Sequence, residues 1–142
     1  MRHQTKKHQL SRAQDQRKAL LRSLATQLFL HGEIRTTMAK AKALKPYADK
    51  VISLAKKGDL NSRRIALRYI YDIKTDRYMD VETKAVVEEN AEGKKLMDET
   101  VLRKLFTEIS SKYANRNGGY TRIYRMPNRR GDNSEMALIQ LS

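Results

Sequence analysis

The sequence contains no cysteine. Disulfide staples and thiolate metal sites are therefore excluded, and the absence suits a reducing compartment. Long apolar runs are missing too. None approaches the roughly 20 residues that a membrane-crossing helix needs. The first ten residues, MRHQTKKHQL, carry charge but no apolar stretch, so they do not resemble a secretory signal. Motifs for nucleotide chemistry are lacking as well: no P-loop, no glycine-rich dinucleotide turn and no serine nucleophile motif. His3, His8 and His31 share no metal-ligand spacing, and two of them lie in the first ten residues. Asp15, Asp132 and Glu135 could serve a nuclease only if something brought them together, and their spacing reads as caps and turns. No cofactor, no small-molecule substrate and no enzymatic activity are expected.

What the chain has is positive charge. Over 142 residues it carries 30 Lys and Arg against 16 Asp and Glu, a net charge of +14. The charge is uneven. Residues 1–71 hold 17 basic and 4 acidic side chains, net +13, whereas residues 72–99 hold 5 basic and 9 acidic, net −4. Residues 100–142 return to net +5, with 8 basic and 3 acidic. A domain so charged repels itself unless a polyanion neutralises it. Nucleic acid and an anionic membrane are the two obvious polyanions.

The hydrophobic pattern predicts one α+β domain over residues 11–142, preceded by an extended basic arm at 1–10. The arm has one apolar side chain, Leu10, and cannot add to a core. A first helix is expected from about Ser11, where Ser11 and Gln14 have capping-box spacing and Asp15 could instead cap or favour the first turn. Leu21, Leu24, Ala25 and Leu28 form its apolar stripe and Gly32 its stop. EIRTT at 33–37 suits a strand. A second helix runs from Met38 to Lys57, capped by Thr37, ended by Gly58 and kinked near Pro46. A third is expected over about 61–71. Residues 72–98 are acidic and weakly periodic, and are expected to form a surface insertion, partly mobile. A final helix over about 98–113 buries Val101, Leu102, Leu105, Phe106 and Ile109. Two strands close the chain, at about 120–126 and 135–141. The fold class is a helical body with a small three-stranded, mostly antiparallel sheet.

The stretch GGYTRIYRMPNRRGDN at 118–133 is unusual for a strand and turn. Side chains alternate faces along a strand. Tyr120, Arg122, Tyr124 and Met126 fall on one side, and Thr121, Ile123 and Arg125 on the other. With Ile123 inward, rings and guanidinium groups line the outside. Aromatic faces stack on unpaired bases, and guanidinium groups pair with phosphates. The plainer alternative is that the tyrosines pack on the helices and the arginines are solvated. Arg116, Arg129, Arg130 and the basic arm favour RNA, because charge scattered over several elements suits a protein embedded in folded RNA. A DNA reader more often concentrates it on one helix. Composition alone leaves DNA binding open. Membrane binding by the basic first helix is disfavoured, since its leucines are needed for a core.

At larger scale the wording is specific. MRH at the start, QRKALLRSLATQL, TTMAKAKALKPYADKVISLAKKGDL, NRNGGYTRI, RRGDN and MALIQL occur in that order. Together they resemble the family of bacterial large-subunit ribosomal protein seventeen over residues 1–71 and about 99–142. QRKALLR and YIYD resemble its cyanobacterial and plastid branch. The resemblance implies a ribosomal component, in bacterial cytoplasm or plastid stroma, that binds large-subunit ribosomal RNA. It also implies ribosomal protein neighbours near the peptide exit region. Residues 72–98 depart from the family pattern. The RNA contacts expected are Arg2, His3, Lys6 and Lys7 in the arm, and Arg12, Arg17 and Arg22 at the first helix. Thr36, Thr37, Lys40 and Lys42 surround the second helix start, whose free amides suit a phosphate. Arg63, Arg64, Arg116, Gly118, Gly119, Tyr120, Arg122, Arg129 and Arg130 complete the set.

Overall fold

Helix α1 (Gln14–His31) turns Ala25, Leu28 and Phe29 inward, and all three are buried. It stops at Gly32, which sits at φ 82 and donates its N–H to the Leu28 carbonyl at 2.8 Å. A left-handed residue there reverses the chain without the clash a side chain would meet. The helix begins later than its sequence suggests. Ser11 lies in a turn at φ 50, and Ala13 precedes the helix with no side-chain cap. The expected capping box therefore does not form. The computed structural model describes residues 8–87 and 96–142, so Arg2, His3, Lys6 and Lys7 of the expected arm lie outside the described residues.

Strand β1 (Glu33–Thr37) leads directly into helix α2 (Met38–Lys57). Helix α2 is the centre of the core. Ala41, Leu44, Ala48, Val51, Ile52 and Ala55 recur at helical spacing, and every one is buried. Each fully buried Leu, Ile or Val contributes roughly 1.5–3 kcal/mol. The interleaved alanines let neighbouring elements come close. Helix α2 touches α1 and the other elements of the body described below. Pro46 lies on its exposed side, and the helix runs through it as one element. Helix α3 (Leu60–Ala66) is shorter than expected, because residues 67–70 leave the helix in tight turns.

The acidic segment is not irregular. Strand β2 (Lys74–Asp80) pairs antiparallel with both β3 (Val86–Val87) and β4 (Leu96–Thr100), in the order β3-β2-β4. A bulge between Lys74 and Tyr78 puts Asp76 at φ 58. Met79 and Glu99 are buried beneath this second sheet. The Thr75 hydroxyl donates to Glu99 Oε2 at 2.6 Å, and Lys74 pairs with Asp98 at 2.5 Å. Residues 88–95 lie outside the described residues.

Asp98 and Glu99 thus belong to a strand, and the final helix starts at Val101 instead of Asp98. Helix α4 spans 101–112: an α turn (Val101–Lys104), a π turn (Leu105–Ile109) and a last α turn (Ser110–Lys112). Thr100 caps it, its hydroxyl accepting from the Arg103 amide at 3.4 Å. Strands β5 (Thr121–Met126) and β6 (Met136–Leu141) close the chain. With β1 they form the first sheet, order β1-β6-β5, antiparallel throughout. Helix α2 packs on all three of its strands and on α1, α3 and α4. The α+β class holds, with two small sheets where the sequence led us to expect one. No helix among the described residues is long and apolar enough to cross a membrane.

Candidate nucleic-acid interface

The first sheet has one face on the helices and one in solvent. Directly opposed residues of an antiparallel pair share a face. Arg35, Leu138 and Tyr124 make one outward row across β1, β6 and β5; Glu33, Gln140 and Arg122 make the next. Thr37, Met136 and Met126 make a third. Ile34, Ile139 and Ile123 lie on the opposite face, in or against the core. The alternation expected for β5 therefore holds for Arg122, Ile123 and Tyr124. Arg122 is exposed, and Tyr124 keeps 46% of its surface accessible. The result is an open sheet face with Met136 and Leu138 in the middle strand and one arginine on each edge strand, Arg35 on β1 beside Glu33 and Arg122 on β5.

Tyr120 breaks that alternation. Gly118 and Gly119 sit at φ 115 and 59, conformations open mainly to glycine, and they redirect the chain just before β5. Tyr120 enters the core with 4% exposure, its ring edge-on to Tyr113 at 5.2 Å. Its hydroxyl donates to the Arg116 carbonyl at 3.2 Å. A ring so enclosed cannot stack on a base, which corrects the expectation for Tyr120. Arg116 is also a structural residue. Its Nη1 donates to the Ser142 carbonyl at 3.0 Å, and its own carbonyl accepts from Lys56 Nζ at 2.6 Å. The glycines serve the chain reversal that seats Tyr120.

The start of α2 is partly used within the protein. The Met38 amide donates to the Glu135 carbonyl at 2.9 Å, and Thr37 makes no side-chain cap. Thr36 points inward and is buried, so it offers no surface contact. An open cleft of about 500 Å³ lies here, lined by His8, Thr37, Ala39, Lys42, Ser134 and Glu135. Lys42 is exposed and Lys40 half-buried. Arg12 is exposed ahead of α1, and Arg17 is half-buried on it.

In the β5–β6 loop, Arg129 Nε donates to Asp132 Oδ1 at 2.8 Å, and its Nη2 pairs with Oδ2. The Arg129 and Ser134 hydrogen bonds hold the Asp132 carboxyl well below the usual range. Arg129 thus braces the loop, while Arg130 beside it is exposed. Arg63 lies over the Phe106 ring at 5.0 Å, and Arg64 is exposed on α3. The cations sit on α1, α2, α3, the open sheet face and its loop, not on one helix.

The family model for ribosomal protein L17 matches residues 20–142. The large ribosomal subunit protein bL17 of Lactiplantibacillus plantarum is 46% identical over 132 residues, covering 93% of this chain and 94% of the relative. The chain belongs to the ribosomal protein L17 family. The matched span includes the acidic segment that builds the second sheet of this L17-family chain.

One basic feature of this L17-family fold escaped the sequence reading. A cleft of about 570 Å³ opens between α1, α2 and the turn after α3, lined by Asp15, Lys18, Arg22, Tyr47, Arg68, Tyr69 and Tyr71. Arg22 was expected to touch RNA directly. Its Nε donates to the Ile70 carbonyl at 3.0 Å and its Nη2 to the Leu67 carbonyl at 2.7 Å, so the side chain is held within the fold. Its guanidinium lies on the Tyr71 ring at 4.2 Å. The Tyr47 hydroxyl donates to the Tyr69 carbonyl at 3.0 Å, and the two rings meet edge-on at 5.3 Å. Burial pushes the Tyr47 hydroxyl up to about 12, against the opposing pull of Arg22, so it remains a donor at neutral pH. The sequence hint was three tyrosines, each within three residues of a Lys or Arg, but Tyr47 lies on α2 whereas Tyr69 and Tyr71 lie in the turn after α3.

Proposed function

We propose that this chain is a structural constituent of the large ribosomal subunit that binds large-subunit ribosomal RNA, with ribosomal proteins as its other neighbours and with no catalytic role. Membership of the L17 family along nearly the whole chain carries this reading. The distribution of charge supports it: net +14, with exposed cations on several elements at once. Each phosphate neutralised releases counterions, so such a surface gains affinity without reading a base sequence. The contacts proposed are Arg2, His3, Lys6 and Lys7 from the basic arm at 1–10, with Arg12, Arg17, Lys40, Lys42, Arg63, Arg64, Arg122 and Arg130 from the body. Arg22, Arg116 and Arg129 brace these surfaces, and Gly118 and Gly119 shape the turn beside them. The site proposed on the subunit is the peptide exit region.

Sedimentation tests the reading. Tagged chain expressed in a bacterium should travel with the large subunit through sucrose at moderate salt and be released at high salt. Chain that stays at the top of the gradient at low salt would overturn it.

A further inference from the structure

We infer that the tyrosine-lined cleft between α1, α2 and the turn after α3 receives a single unpaired nucleotide of the bound RNA. The inference rests on the reading of the chain as a ribosomal RNA binder and adds to it a site with a defined ligand. Duplex RNA keeps its bases stacked inside, so the scattered cations meet mainly its backbone. The cleft is different. At about 570 Å³ it falls within the roughly 300–1,000 Å³ common for small-ligand pockets. Its walls are aromatic and its rim is cationic.

The platform is already assembled. The Arg22 guanidinium is fixed by two backbone carbonyls and lies on the Tyr71 ring at 4.2 Å. Tyr69 is held edge-on against Tyr47, with the Lys50 ammonium 4.8 Å from the Tyr69 ring centre. Little side-chain freedom is left to lose when a base enters. Planar guanidinium and phenol groups are the surfaces on which extruded bases stack. Tyr71 is 39% exposed, so its ring remains reachable. Lys18 and Arg68 are exposed at the rim, against one carboxylate, Asp15, which gives the charge expected for the phosphates flanking a base. A protein partner with an acidic side chain would satisfy the rim but leave the aromatic platform unused.

The test compares variants of the full chain for binding to transcribed bacterial large-subunit ribosomal RNA, each checked for unchanged urea unfolding. Tyr71→Phe keeps a ring and should bind as wild type. Tyr71→Leu keeps apolar bulk but no ring, and should lose about 5- to 150-fold in affinity, the range for one lost base stack. Arg68→Ala removes an exposed guanidinium at the cleft rim. It should lower the salt dependence of binding by about one phosphate contact. If Tyr71→Leu and Arg68→Ala both bind as wild type, no nucleotide enters the cleft and the inference falls. If the wild-type chain itself does not bind the RNA, the functional reading falls first and takes this one with it. Should Tyr71→Leu unfold, Arg68→Ala together with Lys18→Ala decides: unchanged affinity and salt slope overturn the inference.

Discussion

Replacing Tyr120 separates two roles that the sequence cannot tell apart. In the alternation read from the sequence, Tyr120 stands outside with Arg122 and Tyr124, and its loss costs RNA affinity. In the structure the ring is 4% exposed, packs edge-on against Tyr113 at 5.2 Å and lies under the Lys56 ammonium at 5.7 Å. Truncating a buried aromatic ring costs about 3–5 kcal/mol, counting both the lost transfer energy and the cavity left behind. The edge-on pair adds about 0.5–1.5 kcal/mol to what is lost. The hydroxyl gives a finer measure. It donates to the Arg116 carbonyl, which also accepts from Lys56, so Tyr120→Phe leaves that acceptor satisfied. The cost should be near 1 kcal/mol, the net worth of one hydrogen bond.

Urea unfolding of the free chain is the assay. Tyr120→Phe should shift the midpoint slightly. Tyr120→Ala should lower the melting temperature on the order of 10 °C, at about 2–4 °C per kcal/mol for chains of this length. RNA affinity measured well below the new midpoint should change little. If Tyr120→Ala keeps its unfolding midpoint yet loses RNA affinity, the ring belongs to the surface and the account of the glycine turn is wrong.

Further expectations follow from the same structure. Arg122→Ala should leave the melting temperature unchanged and reduce the salt slope of RNA binding by about one contact, measured by titration at several salt concentrations; an unchanged slope would remove Arg122 from the interface. Asp80 pairs directly with Leu96, so replacing residues 81–95 by a two-residue turn should preserve the β2–β4 pair and the fold by circular dichroism. Removing all of 72–98 should instead destabilise the chain, because it takes out buried Met79 and the Ile73 carbonyl that accepts from the Val101 amide at 2.9 Å. Burial raises the Asp49 carboxyl above its ordinary value, against the lowering hydrogen bond from Thr121. A raised carboxyl favours the fold when protonated, so its contribution is present at low pH and lost as pH climbs through the raised value. Asp49→Asn should therefore gain on wild type as pH rises from 3 to 7 in urea unfolding; a constant difference would mean that Asp49 is not shifted.

What the sequence disclosed depended on how local the deciding force was. Strand β1 and helix α2 could be placed to the residue, because Thr37 and Gly58 bound a helix whose apolar stripe is unbroken by any change of period. Arg122, Ile123 and Tyr124 could be assigned to faces for the same reason: three consecutive residues inside one regular strand. The reading failed where geometry is set from outside the segment. Strands β2 and β4 show no clean alternation, since a bulge at Asp76 resets the faces and the buried residues include Glu99, a carboxylate that a pattern search places in solvent. Tyr120 failed because it lies one residue ahead of β5, where the turn made by Gly118 and Gly119 at positive φ, and not the strand's alternation, sets its direction. Arg22 and Arg116 failed in another way. Both use guanidinium N–H groups on backbone carbonyls 26 to 48 residues away in sequence, so charge alone pointed to RNA while distance hid this structural use. These two arginines also explain how so basic a chain holds together before RNA arrives. Part of its positive charge closes its own turns and strand ends, and the remainder is left on the surface for phosphate.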